Sequence, residues 1–274
     1  MKAFIRRLLP YKLKAKIRRA LGNTKVKIHN FPEHLTTLKC IIRYNNYGGY
    51  CIPIKAIHRP AARMIISNRV YESQTIEFIR NNAKGGDIIH AGTFFGDFLP
   101  ALSTAIQDHA KIWAFEPNPE SYKCAQITIL INNIKNTHLT NAGLGARNDI
   151  SFIETVDDHG NDLGGASRIT SFTNGDQKLL QSVAINAIDD IIPPERHISI
   201  IQLDVEGYEK EAITGALKTI SRCRPIIILE DLEEAQLLES PWFESNILSL
   251  GYTRTKSLCG NVVFQQKTKK TIDV

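Results

Sequence analysis

The sequence predicts an α/β fold, built on a mostly parallel sheet covered on both faces and ended by an antiparallel hairpin. Three observations carry that prediction. Short apolar runs at 88–91, 111–115, 137–142, 199–203 and 225–230 alternate with helical stretches such as 121–132 and 210–220. Two late runs, 252–256 and 261–266, are joined through a turn at Leu258-Cys259-Gly260, too short for a crossover, so they must pair antiparallel. A glycine turn from Gly92 to Gly96 follows the first run, and an acid, Glu116, ends the second.

The chain has 274 residues, of which 43% are hydrophobic and 23% charged, enough to bury one large core with a small appendage. It holds no apolar run of about eighteen residues, the length a membrane-spanning helix needs. The five cysteines (Cys40, Cys51, Cys124, Cys223, Cys259) are odd in number and lack CxxC spacing. Reduced thiols in a cytoplasmic compartment are therefore expected, with neither a disulfide framework nor a zinc site.

Residues 1–30 form a basic segment in which ten Lys and Arg precede the first acid, Glu33. The rest of the chain sets 24 basic residues against 28 acids, a net charge of −4. Phe4, Ile5, Leu8, Leu9, Leu13, Ile17 and Leu21 recur at near-helical spacing, with Pro10 as a kink. Such a segment suits anionic lipid head groups and is expected to touch a membrane peripherally; a solvated tail or a helix packed on its own domain are the other readings. It lacks the apolar core and cleavage site of a signal peptide.

Residues 31–70 read as a small N-terminal β and helical extension. Its hairpin joins runs at 38–43 and 50–56 through Asn45-Asn46-Tyr47-Gly48-Gly49. A helix from Glu72 to Asn82 opens the main domain, 71–274. Within that domain, 150–183 turns polar and glycine-rich, too long for an ordinary connection, and is expected to be a substrate-facing lid or an ordered insertion.

The glycine turn and Glu116, 24 residues after Gly92, suit a nucleoside cofactor. Glycines let the backbone approach a ligand, and a carboxylate can accept both ribose hydroxyls. In Gln202-Leu203-Asp204-Val205-Glu206-Gly207-Tyr208-Glu209 an acid ends a buried strand and a second follows two residues on. Glu230 ends the next strand. Ligands of open α/β sheets sit beyond the carboxyl ends of the strands, so Gly92, Glu116, Asp204 and Glu230 should share one rim.

From about Tyr71 onward the sequence resembles the FkbM family of S-adenosylmethionine-dependent methyltransferases. The resemblance rests on Tyr71-Glu72, AFEPNP (114–119), NAGLG (141–145), Ile188-Asp189-Asp190, QLDVEGYEKEAITGA (202–216), Arg224-Pro225-Ile226 leading to Glu230, and Leu250-Gly251-Tyr252. It implies the class I methyltransferase fold, a Rossmann-like seven-stranded sheet, with S-adenosyl-L-methionine as cofactor. The cofactor-binding set it implies is Glu72, His90, Gly92, Thr93, Phe94, Gly96, Asp97, Glu116, Pro117, Asn118, Asn141 and Gly143. The family's loop usually reads D-x-G-A-N-x-G; here His90 replaces the acid and Phe94 the asparagine.

The implied reaction is O-methylation of a hydroxyl on a sugar, glycolipid or related natural product. A hydroxyl must lose its proton, so Asp204 is the first candidate base and His90 the second, with Glu206 and Glu230 orienting substrate or base. His90 has three readings: a cofactor contact, a base, or a satisfied core histidine. The three acids could also hold a divalent ion, but nothing in their spacing demands one, and no metal is expected. The expected partner is a small-molecule or glycan acceptor, lipid-linked and met at the cytoplasmic membrane face. Nucleic acid is not expected, because no Asn/Asp-Pro-Pro-aromatic motif is present and the main domain is slightly acidic. Two other classes use part of the same pattern. A nicotinamide-dependent oxidoreductase would share the glycine turn and Glu116 but leave LDVEGYE and the hairpin unexplained; a cofactor-binding protein without catalysis would fit the altered loop.

Overall fold

A computed structural model describes residues 38–83, 85–157, 162–170, 180–230 and 236–266. The basic segment 1–30, the start of the expected extension, and 158–161 and 171–179 of the polar stretch lie outside the described residues. Strands β1 (Cys40–Asn45) and β2 (Gly48–Pro53) form the expected hairpin, with Asn45 opposite Gly48. Helix α1 (Pro60–Ile66) starts on proline, whose missing N–H costs nothing in a first turn. Helix α2 (Ser73–Asn82) leads into β3 (Asp87–Ala91), buried along its whole length.

Next come α3 (Leu99–Ser103), β4 (Ile112–Phe115), α4 (Pro119–Ile131) and β5 (Thr137–Thr140). Helix α4 starts sharply because the Asn118 side chain accepts from the N–H groups of Glu120 and Ser121, at 3.0 and 3.3 Å. It also carries the hairpin. Cys51 N–H donates to Thr128 Oγ1 at 3.0 Å, and Asn132 bonds both polar groups of the Gly49 backbone.

Strands β6 (Gly143–Leu144), β7 (Asp149–Glu154), β8 (Arg168–Thr170) and β9 (Leu180–Asn186) follow. They form a four-stranded sheet in the order β6-β9-β7-β8. Much of the polar stretch is thus regular structure rather than a plain lid, because Ile153, Val183 and Ile185 give it a small buried face of its own with Ile169 packed on it. Helix α5 (Ile188–Ile191) then leads to β10 (Ile198–Leu203).

The helix expected over 210–220 is two helices, α6 (Glu209–Thr214) and α7 (Leu217–Cys223). The break falls at Gly215, where a Cβ would lie 2.0 Å from the carbonyl oxygen of Gly145, so the chain parts to let another backbone pass. Asp189 repairs the start of α7, accepting from the N–H groups of Lys218 and Thr219 at 2.9 and 2.8 Å. After β11 (Ile226–Glu230) and α8 (Pro241–Asn246), the chain ends its described course in β12 (Tyr252–Leu258) and β13 (Asn261–Gln266).

The main sheet runs β12-β13-β11-β10-β3-β4-β5. Strands β11, β10, β3, β4 and β5 are mutually parallel, and β13 opposes both of its neighbours. This is the expected seven-stranded sheet, ended by an antiparallel hairpin. Both faces are dry: Ile88, Ile112, Ile200 and Ile228 lie in one core, while Ile89, Phe115, Ile201 and Leu229 lie in the other. At the amino end of β3 the buried Asp87 accepts from Lys111 N–H, Trp113 Nε1 and Arg196 Nε at 2.8, 2.7 and 2.7 Å. At the carboxyl end the strand order reverses. The chain leaves β3 toward β4 and β5 and later returns to the other side as β10, which opens a crevice beyond the ends of β3 and β10.

Candidate functional site

The glycine turn roofs that crevice, and its geometry explains its residues. Gly92 has φ +81°, and a Cβ there would lie 1.8 Å from the carbonyl oxygen of Asp204. The backbone leaving β10, which crosses the turn, is by itself enough to impose glycine here. Gly96, at φ +83°, packs against the side chains of Thr128 and Leu99. Phe94 has φ +50°, in the left-handed region that asparagine tolerates and an aromatic residue rarely enters. It stands where the FkbM loop carries asparagine. Its ring lies against Phe95, centroids 4.5 Å apart, and over Gly164 and Gly165. Thr93 is fully buried and donates to the His90 carbonyl at 3.3 Å.

The backbone of Phe94 is tied to Glu116. One Glu116 oxygen accepts from Phe94 N–H at 2.6 Å and the other from Asn118 N–H at 2.8 Å. Burial pushes this carboxyl up to about 8, with the two N–H groups pulling the other way. Asn118, besides capping α4, donates to Ser167 Oγ at 3.1 Å, and Asn141 donates to the carbonyls of Glu116 and Pro117 at 2.8 and 3.1 Å. Glu116, Pro117 and Gly143 line a narrow cleft with Leu144 and Ile169. Asn118 and Asn141 shape that cleft through the backbone that forms it.

A second cleft of about 80 Å³ opens on the other side of the turn, lined by Arg59, Tyr71, His90, Asp97, Phe98 and Gln202. Gly92, Gly165, Asp204 and Glu206 border both clefts. His90 sits on the sheet face of Gln202, its register partner on β10, and stacks on Phe98 with ring centroids 5.3 Å apart. Its Nδ1 bonds Gln202 Oε1, so the proton sits on Nδ1, and Nε2 is a buried acceptor without a partner among the described residues. Burial pushes the imidazole down to about 4, which keeps it neutral. Asp97 is pushed up to about 7, first by burial and then by Glu72.

Four acids gather on the β10–β13 side. Asp204 follows β10 and Glu230 ends β11; Gln202 is paired with Ile228, so the two acids stand level. Asp204 is held well above the usual carboxylate range, by burial first and then by Glu230, Glu206 and Glu72. Glu206 is raised to about 7 by burial and Glu230, with Arg168 and Arg59 opposing. Each of Asp204, Glu206 and Glu230 brings an oxygen within 4.8 Å of the others. Glu72 is raised mainly by burial and accepts from Asn261 Nδ2 at 2.8 Å.

Glu72, Phe94 and Glu206 are all non-glycine residues at positive φ, and such strain gathers where surrounding structure enforces it. One positioning residue was not singled out from the sequence. Glu209, 2% exposed, accepts from the N–H groups of Val205 and Gly207 at 3.1 and 3.3 Å and so shapes the turn that carries Glu206. An acid three residues after Glu206 at a helix start was the available signal.

Comparison with known proteins gives the following. The sequence profile described as the methyltransferase FkbM domain matches residues 90–241, more than half of the chain. No curated protein matches. Among solved structures, an FkbM methyltransferase from Methylobacillus flagellatus KT is similar at TM-score 0.44 and 18% identity; the match covers 66% of this chain and 43% of that one. A SAM-dependent methyltransferase from Aquifex aeolicus matches at TM-score 0.40 and 12% identity, over 77% of this chain and 94% of that one. A Pyrococcus abyssi tRNA (uracil-54, C5)-methyltransferase in complex with S-adenosyl-L-homocysteine matches at TM-score 0.43 and 12% identity, covering 82% of this chain and 43% of that one.

Proposed function

Since the chain belongs to the FkbM family of methyltransferases, we propose that it transfers a methyl group from S-adenosylmethionine to a hydroxyl of a sugar, glycolipid or related natural product. The observation that carries this reading is Asp204. It borders both clefts, so it stands where cofactor and acceptor would meet, and its carboxylate is the group there to take a hydroxyl proton. S-adenosylmethionine, when bound, supplies an electrophilic methyl group on a sulfonium.

The residues present fit that group. Each Glu116 oxygen uses one lone pair on a backbone N–H and keeps another for a ribose hydroxyl. The bare Nε2 of His90 offers an acceptor to an ammonium, and Asp97, Asp204 and Glu206, which line the same cleft, favour a cation. A neutral imidazole held near 4 is a weak base, which leaves proton removal to Asp204. Positioning the acceptor against the methyl group then supplies most of the acceleration. The second cleft holds about 80 Å³, against roughly 300–1,000 Å³ for typical ligand pockets. Gly165 borders both clefts, so the segment that carries it faces whatever binds there.

The test incubates purified protein with S-adenosylmethionine and three acceptor panels: free sugars, lipid-linked sugars and polyketide-like alcohols. S-adenosylhomocysteine is expected to accumulate with a hydroxyl acceptor, most strongly with the lipid-linked sugars. Tight cofactor binding without turnover on any acceptor would favour a binding protein instead.

The choice of a lipid-linked acceptor rests on the basic N-terminal residues, which suit an anionic membrane surface at the cytoplasmic face. No helix among the described residues is long and apolar enough to cross a membrane. Removing residues 1–27 should abolish binding to vesicles containing anionic lipid, and unchanged binding would sink the membrane part of this proposal.

A further inference from the structure

We propose that Asp204, Glu206 and Glu230, with the side-chain oxygen of Asn261, form a binding site for a hard divalent cation of the magnesium or manganese class. The three carboxylates converge from two elements, the turn after β10 and the end of β11, with one oxygen of each within 4.8 Å of the others. Convergence of acids is not enough, since such clusters are common without an ion.

A separate observation concerns Asn261. It stands directly opposite Glu230 in the ladder between β11 and β13, and residues directly opposed across a ladder share a sheet face. It is 2% exposed, and with its Nδ2 donating to Glu72 its Oδ1 is buried and without a partner among the described residues. Glu230 Oε2 is bare in the same way. Leaving a buried acceptor unpaired is costly, and a positive centre shared by these two oxygens and the neighbouring carboxylates would pair them.

The chemistry of the donors selects the ion. All four are oxygens, three of them carboxylate, which suits magnesium or manganese and disfavours zinc or copper. Four protein oxygens leave about two positions of an octahedral ion open, enough for an acceptor hydroxyl and a water. The ion's purpose rests on the methyltransferase reading; its binding does not.

Manganese chloride is titrated into the full chain while free Mn²⁺ is followed by electron paramagnetic resonance, and S-adenosylmethionine binding is measured separately by calorimetry. One Mn²⁺ per chain is expected, displaced by Mg²⁺, weakened at least tenfold in Glu230→Gln and Asn261→Leu, and retained in Asn261→Asp. Absence of Mn²⁺ binding to the wild type, or equal binding by Glu230→Gln, overturns the site. Glu230→Gln preserves shape and carries the test if Asn261→Leu does not fold. Full methyl transfer in EDTA with no Mn²⁺ bound would overturn the ion and leave the methyltransferase standing. Mn²⁺ binding without S-adenosylmethionine binding would support the ion and overturn the methyltransferase reading.

Discussion

The two halves of the rim are built on opposite principles. On the β3–β4 side Glu116, Asn118 and Asn141 are tied to nearby backbone: Glu116 holds two N–H groups, Asn118 caps α4, and Asn141 ties the strand exit. On the β10–β13 side the groups are crowded with like charge, and Glu230 Oε2 and Asn261 Oδ1 lack partners among the described residues. One half is a holder closed by its own hydrogen bonds; the other is unfinished, with like charges crowded together and oxygens left unpartnered among the described residues. Under the proposed reading, fixed geometry suits the nucleoside of the cofactor, whereas unbalanced charge suits the place where methyl group, proton and acceptor meet.

The comparison can be broken by substitution, beginning at the joint between the halves. Gly92→Ala should remove at least ~3 kcal/mol of stability, from left-handed strain and collision with the Asp204 carbonyl. Urea unfolding reads this directly, and a fully stable variant would show that the joint is slack. Asp204→Asn tests the unfinished half: kcat should fall roughly 100- to 10,000-fold with cofactor affinity little changed, as expected for loss of a base. A comparable loss of cofactor affinity would assign Asp204 to the holder instead.

Glu116→Ala should do the reverse. It strands two buried N–H groups, at about 1–3 kcal/mol each, and should raise the cofactor Kd at least tenfold by calorimetry. The last test is a pH dependence. Asp97 is raised from 3.8 to about 7, so the folded state holds its proton more tightly than the unfolded chain does. Stability from that proton is fully present below 3.8 and is lost as pH rises through about 7. Asp97→Asn, which cannot ionise, should therefore gain on the wild type by up to about 1.4 kcal/mol per pH unit across that window and then level off. Thermal unfolding at pH 5, 6, 7 and 8 measures the difference, and a constant difference would show Asp97 already ionised in the folded protein.

Most of the sheet was legible because its signals are local. Ile88 and Ile89 are buried on opposite faces, which is why the run reads as continuously apolar, and Leu258-Cys259-Gly260 leaves room only for a hairpin. The small sheet was harder, since β7, with Ile150 exposed and Ile153 buried, has only one packed face and looks polar in sequence. The break between α6 and α7 was not legible, because Gly215 is set by Gly145 some seventy residues away.

Residue types at strand ends thus determined the fold, the family and the candidate acids, because strand period, turn chemistry and sharp motifs depend on neighbours in the chain. Only the tertiary structure decided what those residues do. Gly92 is a glycine because Asp204 crosses it, His90 is neutral because burial outweighs the opposing pull of Gln202, and Asn261 meets Glu230 and Glu72 only across the folded sheet. Burial, register and close approach are properties of segments far apart in sequence, and they set the charge and free lone pairs on which the chemistry depends.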